Sequence, residues 1–190
     1  MIPRRNSSAA SRLTVIVLLT LCLILMAGCA TTIPDSAEAL LVPEVDLERY
    51  AGLWYQVGRY PNFFQTGDCA ESTAEYTLLP DGRISVLNRC WVDSYGGTYS
   101  QQVRAVGTPM NENGSWLRVL FYNLFPASYL IIELDADAYQ WAAVSTPARR
   151  TLWILSRSPA LPPETFEDIT AALAAKGFDP ESIRKTSRQQ

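Results

Sequence analysis

Between Gly52 and Arg157, apolar and polar residues alternate in eight short runs, at 52–60, 71–79, 83–91, 98–107, 115–122, 129–134, 139–146 and 151–157. Alternation of period two sends successive side chains to opposite faces of a strand. In the second run Ala74, Tyr76 and Leu78 alternate with Thr73, Glu75 and Thr77. In the third, Ile84, Val86 and Asn88 alternate with Ser85, Leu87 and Arg89, and in the fifth Leu117, Val119 and Phe121 alternate with Trp116, Arg118 and Leu120. The breaks carry turn chemistry: Pro80-Asp81-Gly82, Gly96-Gly97, Asn111-Glu112-Asn113-Gly114, Asp135-Ala136-Asp137 and Pro147-Ala148-Arg149-Arg150. Short strands at regular spacing with such turns predict an all-β antiparallel barrel or sandwich. No run is long enough to suggest a βαβ unit, and no Gly-rich phosphate loop is present.

Helical spacing takes over after Ser158-Pro159. Pro162-Pro163 suits the first turn of a helix, and Glu164 favours its positive dipole end. Phe166, Ile169 and Leu173 form one apolar face and Gly177 is a stop, which predicts a helix over about 163–176. A single amphipathic helix after a barrel packs on the outer wall. A membrane-surface helix would need a basic face, and Lys176 is its only lysine. Ser182 to Gln190 reads as a polar tail.

The first 28 residues read as targeting sequence. Arg4, Arg5 and Arg12 precede an uncharged apolar stretch, Leu13 to Met26, shorter than the roughly 20 residues needed to span a bilayer. Leu25-Met26-Ala27-Gly28-Cys29 resembles the lipobox of bacterial lipoproteins. That resemblance implies that Cys29 becomes a lipidated first residue, and Ala30, where Asp would signal inner-membrane retention, favours the outer membrane on its periplasmic face. Residues 29–43 lack periodicity and are expected to be a tether.

Composition removes several chemistries. There is no His, hence no His-based triad, His general base or His-ligated zinc. Without the three leader arginines, 13 basic residues of the original 16 face 19 acidic ones, a charge near −6 that is unsuited to nucleic acid. Of the four cysteines, Cys22 lies in the leader and Cys29 is the lipid site. Cys69 and Cys90 flank the Asp81-Gly82 hairpin, and folding its arms together brings them nearly opposite. A disulfide is expected in an oxidising compartment, contributing about 3 kcal/mol by loop closure. The alternative is two free thiols, one of them a nucleophile.

Three blocks carry a family resemblance: Gly52-Leu53-Trp54-Tyr55 with Arg59, Leu134-Asp135 with Tyr139, and Leu152-Trp153-Ile154-Leu155-Ser156-Arg157. Together with Ala74-Glu75-Tyr76, Val86-Leu87-Asn88 and Ala142-x-Val144 they resemble the lipocalins, and in wording the bacterial outer-membrane branch. The spacing of Asp135 and Tyr139 departs from the more usual Thr-Asp-Tyr. The resemblance implies one eight-stranded antiparallel up-and-down barrel over 44–187, with the helix outside. Gly52 and Trp54 would close its floor and Arg157 would cross it, a guanidinium over an indole being a favourable pair. The family also implies a lipid ligand, a fatty acid or lysophospholipid, stored or transported at the outer membrane by a monomer or weak homodimer, with no cofactor and no metal.

Alternation and aromatic content pick Tyr76, Val86, Asn88, Phe121, Tyr129, Ile131 and Trp141 as lining residues. Phe63-Phe64 in the first loop adds to the aromatic concentration. Two other readings stay open: a structural or interaction lipoprotein with a filled barrel, and a lipocalin-fold enzyme. The second has no His to activate a thiol, and Glu71, Glu75 and Asp93 read equally well as solvated exterior charge.

Overall fold

The computed structural model describes residues 32–62, 69–94 and 97–186. Eight strands follow one another: β1 (Gly52–Arg59), β2 (Cys69–Leu78), β3 (Ile84–Ser94), β4 (Gly97–Pro109), β5 (Trp116–Phe121), β6 (Phe125–Leu134), β7 (Trp141–Ser145) and β8 (Leu152–Ser156). Each pairs antiparallel with the next, and β1 also pairs with β8, with Tyr55 opposite Ser156. The sheet closes on itself, so its backbone groups find partners without an open edge. Phe63, Phe64 and Cys29 lie outside the described residues.

The expected turns at 80–82, 111–114, 135–137 and 147–150 lie between strands, Gly96 lies outside the described residues, and strand ends moved. β6 begins at Phe125, four residues before the expected start, with Pro126 opposite Leu120. β7 begins at Trp141 and not at 139, because Asp135 organises the preceding turn: its carboxylate accepts the N–H groups of Ala138 and Gln140. Tyr139 is thereby held at φ 55°, outside strand geometry. Cys69 and Cys90 form a disulfide across β2 and β3, with Cα atoms 5.4 Å apart.

The segment expected as a free tether is, from Asp35, part of the packed body. A short helix α1 (Asp35–Glu38) buries Ala37, and Leu40 is buried after it. The Val42 N–H donates to the Ile131 carbonyl at 3.0 Å, the Val45 N–H to the Asn113 carbonyl at 2.7 Å, and the Lys176 ammonium to the Leu40 carbonyl at 3.3 Å. A handful of apolar residues in irregular spacing buries surface without showing periodicity, so pattern alone did not reveal it.

A second short helix, α2 (Leu47–Tyr50), caps one end of the barrel. Asp46 is its N-cap, accepting the N–H groups of Glu48 and Arg49, and donates its own N–H to the Tyr139 hydroxyl. Trp54, fully buried, donates its indole N–H to the Tyr50 carbonyl at 2.8 Å. Arg157, just beyond β8, stacks its guanidinium 3.7 Å from the Trp54 ring centre. The same group donates to the carbonyls of Leu53, Arg49 and Ala51 at 2.7–2.9 Å, and more weakly to those of Tyr50 and Tyr139. Gly52, at φ 101°, is needed beside it, since a Cβ there would sit 3.2 Å from the Arg157 Nη1.

Helix α3 (Pro163–Ala175) lies outside the barrel and buries Phe166, Ile169 and Leu173. Gly58 leaves room for Phe166, whose ring would be 3.1 Å from any Cβ at that position. Lys176 ties the end of α3 to β6 through Glu133 at 2.8 Å and a short hydrogen bond to the Ile132 carbonyl. A two-residue strand β9 (Arg184–Lys185) then pairs with Gly58 and Arg59. Neither β9 nor the two short helices had a sequence pattern long enough to predict them.

Arg157→Ala removes the indole contact and leaves a cluster of floor carbonyls without their donor. It is expected to cost on the order of 3 kcal/mol in chemical denaturation. Arg157→Lys recovers less than half of that, because an ammonium cannot present the planar fork; full recovery by Lys would show that charge alone matters.

Candidate functional site

The barrel interior is packed at its floor and holds a small cavity above it. In a meander of eight strands the β5–β6 and β7–β8 turns share one end, here the mouth, and α2, Arg157 and the β2–β3, β4–β5 and β6–β7 turns share the other. The floor packs Tyr50, Trp54, Ile84, Ile131, Tyr139 and Val144 against one another. Above them lies a cavity of about 40 Å³, lined by Tyr76, Val86, Asn88, Leu117, Val119, Phe121 and Tyr129. Leu117 sits opposite Tyr129 in the register and Phe121 opposite Phe125. The cavity thus runs from the level of the floor toward the rim.

Five of the seven expected lining residues meet there: Tyr76, Val86, Asn88, Phe121 and Tyr129. Ile131 faces the interior but is fully buried in the packed floor, beside its partner Val144. Trp141 faces the other way. Ala142 and Val144 belong to the interior core, and Trp141, one residue from Ala142 in the same strand, sits opposite Ser156 on the outer face. Tyr139 is interior and Trp141 exterior although they are two apart, because the positive φ at Tyr139 interrupts the alternation. Leu117 and Val119 also line the cavity, and the β5 alternation that sets them on one face with Phe121 is the signal that marks them.

Gly52, Trp54 and Arg157 assemble at the floor as described above. At the rim, Tyr122, Leu124 and Phe125 are 62–69% exposed, an apolar tip around the β5–β6 turn. Arg59 pairs with Trp153 of the interior face and so points into the barrel near the mouth; partial burial lowers its pKa.

The polar content of the interior is concentrated in three phenols. The Tyr129 hydroxyl lies 2.8 Å from that of Tyr50 and 3.0 Å from that of Tyr76. The Tyr50 and Tyr76 rings stack with centres 5.5 Å apart, and the Tyr129 ring meets Tyr76 edge-on. Burial pushes the Tyr76 pKa up to about 12, against the lowering effect of the Tyr129 hydrogen bond. Burial holds Tyr50 and Tyr129 well above their ordinary value; both neighbouring phenols reinforce it at Tyr129, whereas at Tyr50 Tyr76 raises the pKa and the Tyr129 hydrogen bond and Arg157 lower it. All three stay neutral at physiological pH.

An antiparallel eight-strand meander closed by an arginine–indole floor, with a small apolar cavity inside, is the architecture of a lipocalin. The chain belongs to that family: residues 45–188 match the lipocalin-like domain. It is 36% identical over 166 residues to the outer membrane lipoprotein Blc of Vibrio cholerae serotype O1, covering 86% of this chain and 92% of that protein. It is 32% identical over 155 residues to the outer membrane lipoprotein Blc of Escherichia coli, covering 82% and 85%. Temperature-induced lipocalin-1 of Arabidopsis thaliana is 31% identical over 159 residues, covering 80% and 84%. Among solved structures, apocrustacyanin C2 superposes with a TM-score of 0.61 at 21% identity, covering 83% of this chain and 88% of that one, a likeness of fold.

The phenols make the barrel sensitive to alkali. The folded protein holds the Tyr76 proton until about pH 12, whereas the unfolded chain releases it near pH 10. Stability is therefore full below about pH 10 and falls as pH rises toward about 12, by on the order of 3 kcal/mol for Tyr76 alone. Urea midpoints at about pH 9 and about pH 11 should drop less in Tyr76→Phe than in the wild type; an identical drop would assign the alkaline loss to other groups.

Proposed function

We propose that this chain is a lipid-anchored carrier that holds a fatty acid or lysophospholipid in its barrel, for storage or transport of membrane lipid. The observation that carries the proposal is the interior cavity, apolar on β3 and β5 and furnished with a few polar groups, the usual character of a small-lipophile site. The exposed apolar rim at Tyr122, Leu124 and Phe125 suits transfer of an acyl chain from a lipid surface. Arg59, inside the mouth, is placed to meet an anionic head group. Lipidation at Cys29 would hold the protein at its lipid source, on our reading the periplasmic face of a membrane that the names of the two bacterial relatives suggest is the outer one. The carrier reading asks for binding alone, which agrees with a chain that has no His and whose Cys69 and Cys90 thiols are spent on the disulfide. Among the described residues no cluster of three metal-ligating side chains occurs, and no helix is long and apolar enough to cross a membrane.

One observation favours a second reading. The cavity is about 40 Å³, room for a few heavy atoms and not for a whole acyl chain, so a filled-barrel interaction lipoprotein fits the unliganded shape. The carrier reading requires the rim and upper wall to open around the chain.

Native mass spectrometry separates the two. Asp35–Gln190 forms one compact unit, so the chain from Thr31 onward, made without leader or detergent, carries the whole barrel. A bound mass of a fatty acid or lysophospholipid, lost on organic extraction, is expected; a bare polypeptide mass that stays bare on titration would establish the filled barrel. Val119→Trp, which fills the cavity, is expected to weaken binding by about tenfold at a stability cost of about 1–3 kcal/mol. Trp141→Ala, on the outer face, should leave affinity unchanged.

A further inference from the structure

The three interior phenols have one proton more than they can use on each other. Tyr50, Tyr76 and Tyr129 carry three O–H donors, and the trio forms two hydrogen bonds, Tyr50 with Tyr129 and Tyr129 with Tyr76. Each hydroxyl donates once. Whichever way the two bonds run, one O–H is left without an acceptor in the trio. No other described side chain or carbonyl accepts from any of the three. Tyr76 and Tyr129 both line the cavity, so the remaining proton is directed into it or passed along the chain to a hydroxyl that is. Asn88 carries a side-chain donor and acceptor on the same wall.

An entirely hydrocarbon chain end docked here would bury that O–H unpaired, at a real cost. A carboxylate would be no better, because the trio offers it one donor and no cation, and a buried charge needs more. The arrangement suits one uncharged oxygen. Arg59, the cation of the interior face, is near the mouth, well above the Tyr129 level.

We propose that the Tyr50–Tyr129–Tyr76 trio is a recognition site for an uncharged oxygen, hydroxyl or carbonyl, borne by the buried end of the ligand's acyl chain, so that the barrel prefers an oxygenated lipid whose anionic head stays at the mouth. The inference rests on the carrier reading and names the ligand class for it. When the oxygen binds Tyr129, the other two hydroxyls both donate to Tyr129 and its own proton goes to the ligand, so every phenol donor is spent; a ligand carbonyl brings no further donor, and a ligand hydroxyl has the side-chain carbonyl of Asn88 on the same wall to donate to. Because the phenols remain protonated far above neutrality, the site keeps this donor at any physiological pH.

The test compares laurate with omega-hydroxylaurate, which share head group and chain length and differ in one terminal oxygen. The chain from Thr31 onward is titrated with each, in the wild type, in Tyr76→Phe/Tyr129→Phe, which strips both hydroxyls from the cavity wall, and in Trp141→Ala, a control on the outer face. The double variant is expected to lose about three- to tenfold in affinity for omega-hydroxylaurate, the worth of one hydrogen bond, while laurate affinity is unchanged or improved. Trp141→Ala is expected to keep the wild-type discrimination. Equal changes for both ligands, or no change for either, in a folded variant would overturn the inference and leave the carrier reading standing. Failure of the wild type to bind either ligand would overturn the carrier reading and this inference with it. Should the double variant not fold, the tyrosine Raman doublet of the wild type decides: omega-hydroxylaurate should shift it and laurate should not, and identical spectra would count against the trio.

Discussion

The guanidinium of Arg157 laid over the Trp54 indole is the contact on which the barrel depends. A closed sheet solves the pairing of its strands but leaves two open ends, and water entering at either would compete for every interior polar group. At the floor the end is sealed by one side chain that is flat, charged and able to donate from several nitrogens at once. Arg157 binds the indole face and the carbonyls of α2 and early β1, and Gly52 leaves space for it. The carbonyls it satisfies come from Arg49, Ala51 and Leu53, where the chain enters the sheet, so the last strand and the first are locked at the same point.

That seal makes the interior a low-dielectric space, and the behaviour of the phenols follows from it. Three tyrosines near water would titrate near pH 10 and exchange their hydrogen bonds with solvent. Held above the floor, Tyr50, Tyr76 and Tyr129 are driven upward in pKa by burial and organise one another instead. The charge of the site is segregated accordingly. Its cation, Arg59, is kept toward the mouth and neutral donors occupy the depth, a gradient that fits an amphiphile entering along the barrel axis.

Much of this was legible in the sequence because strands of period two report their faces directly. Tyr76 and Val86 are cross-strand partners, and so are Leu117 and Tyr129, and the alternation within each strand placed them on the inner wall. Two kinds of feature were not legible. One is a backbone irregularity within an apparently regular run: Asp135 folds Tyr139 into a turn, and the register it resets puts Trp141 outside when aromatic content pointed it inward. The other is any contact between residues far apart in the chain. Tyr50 lies in the short polar stretch Asp46-Leu47-Glu48-Arg49-Tyr50, which has no strand alternation, yet its hydroxyl meets that of Tyr129, 79 residues on. Ala37 and Leu40 read as tether because a segment that packs as a patch needs no repeat to do so.

The measurement that tests the carrier account most directly is a heteronuclear NMR titration of the chain from Thr31 onward with lysophospholipid below its micelle concentration. The account predicts saturable shifts concentrated at Tyr76, Asn88, Val119, Phe121 and Tyr129, with the outer-face amide of Trp141 and helix α3 undisturbed. Shifts confined to the exposed rim or the outer wall, with the inner wall unchanged at saturation, would contradict it.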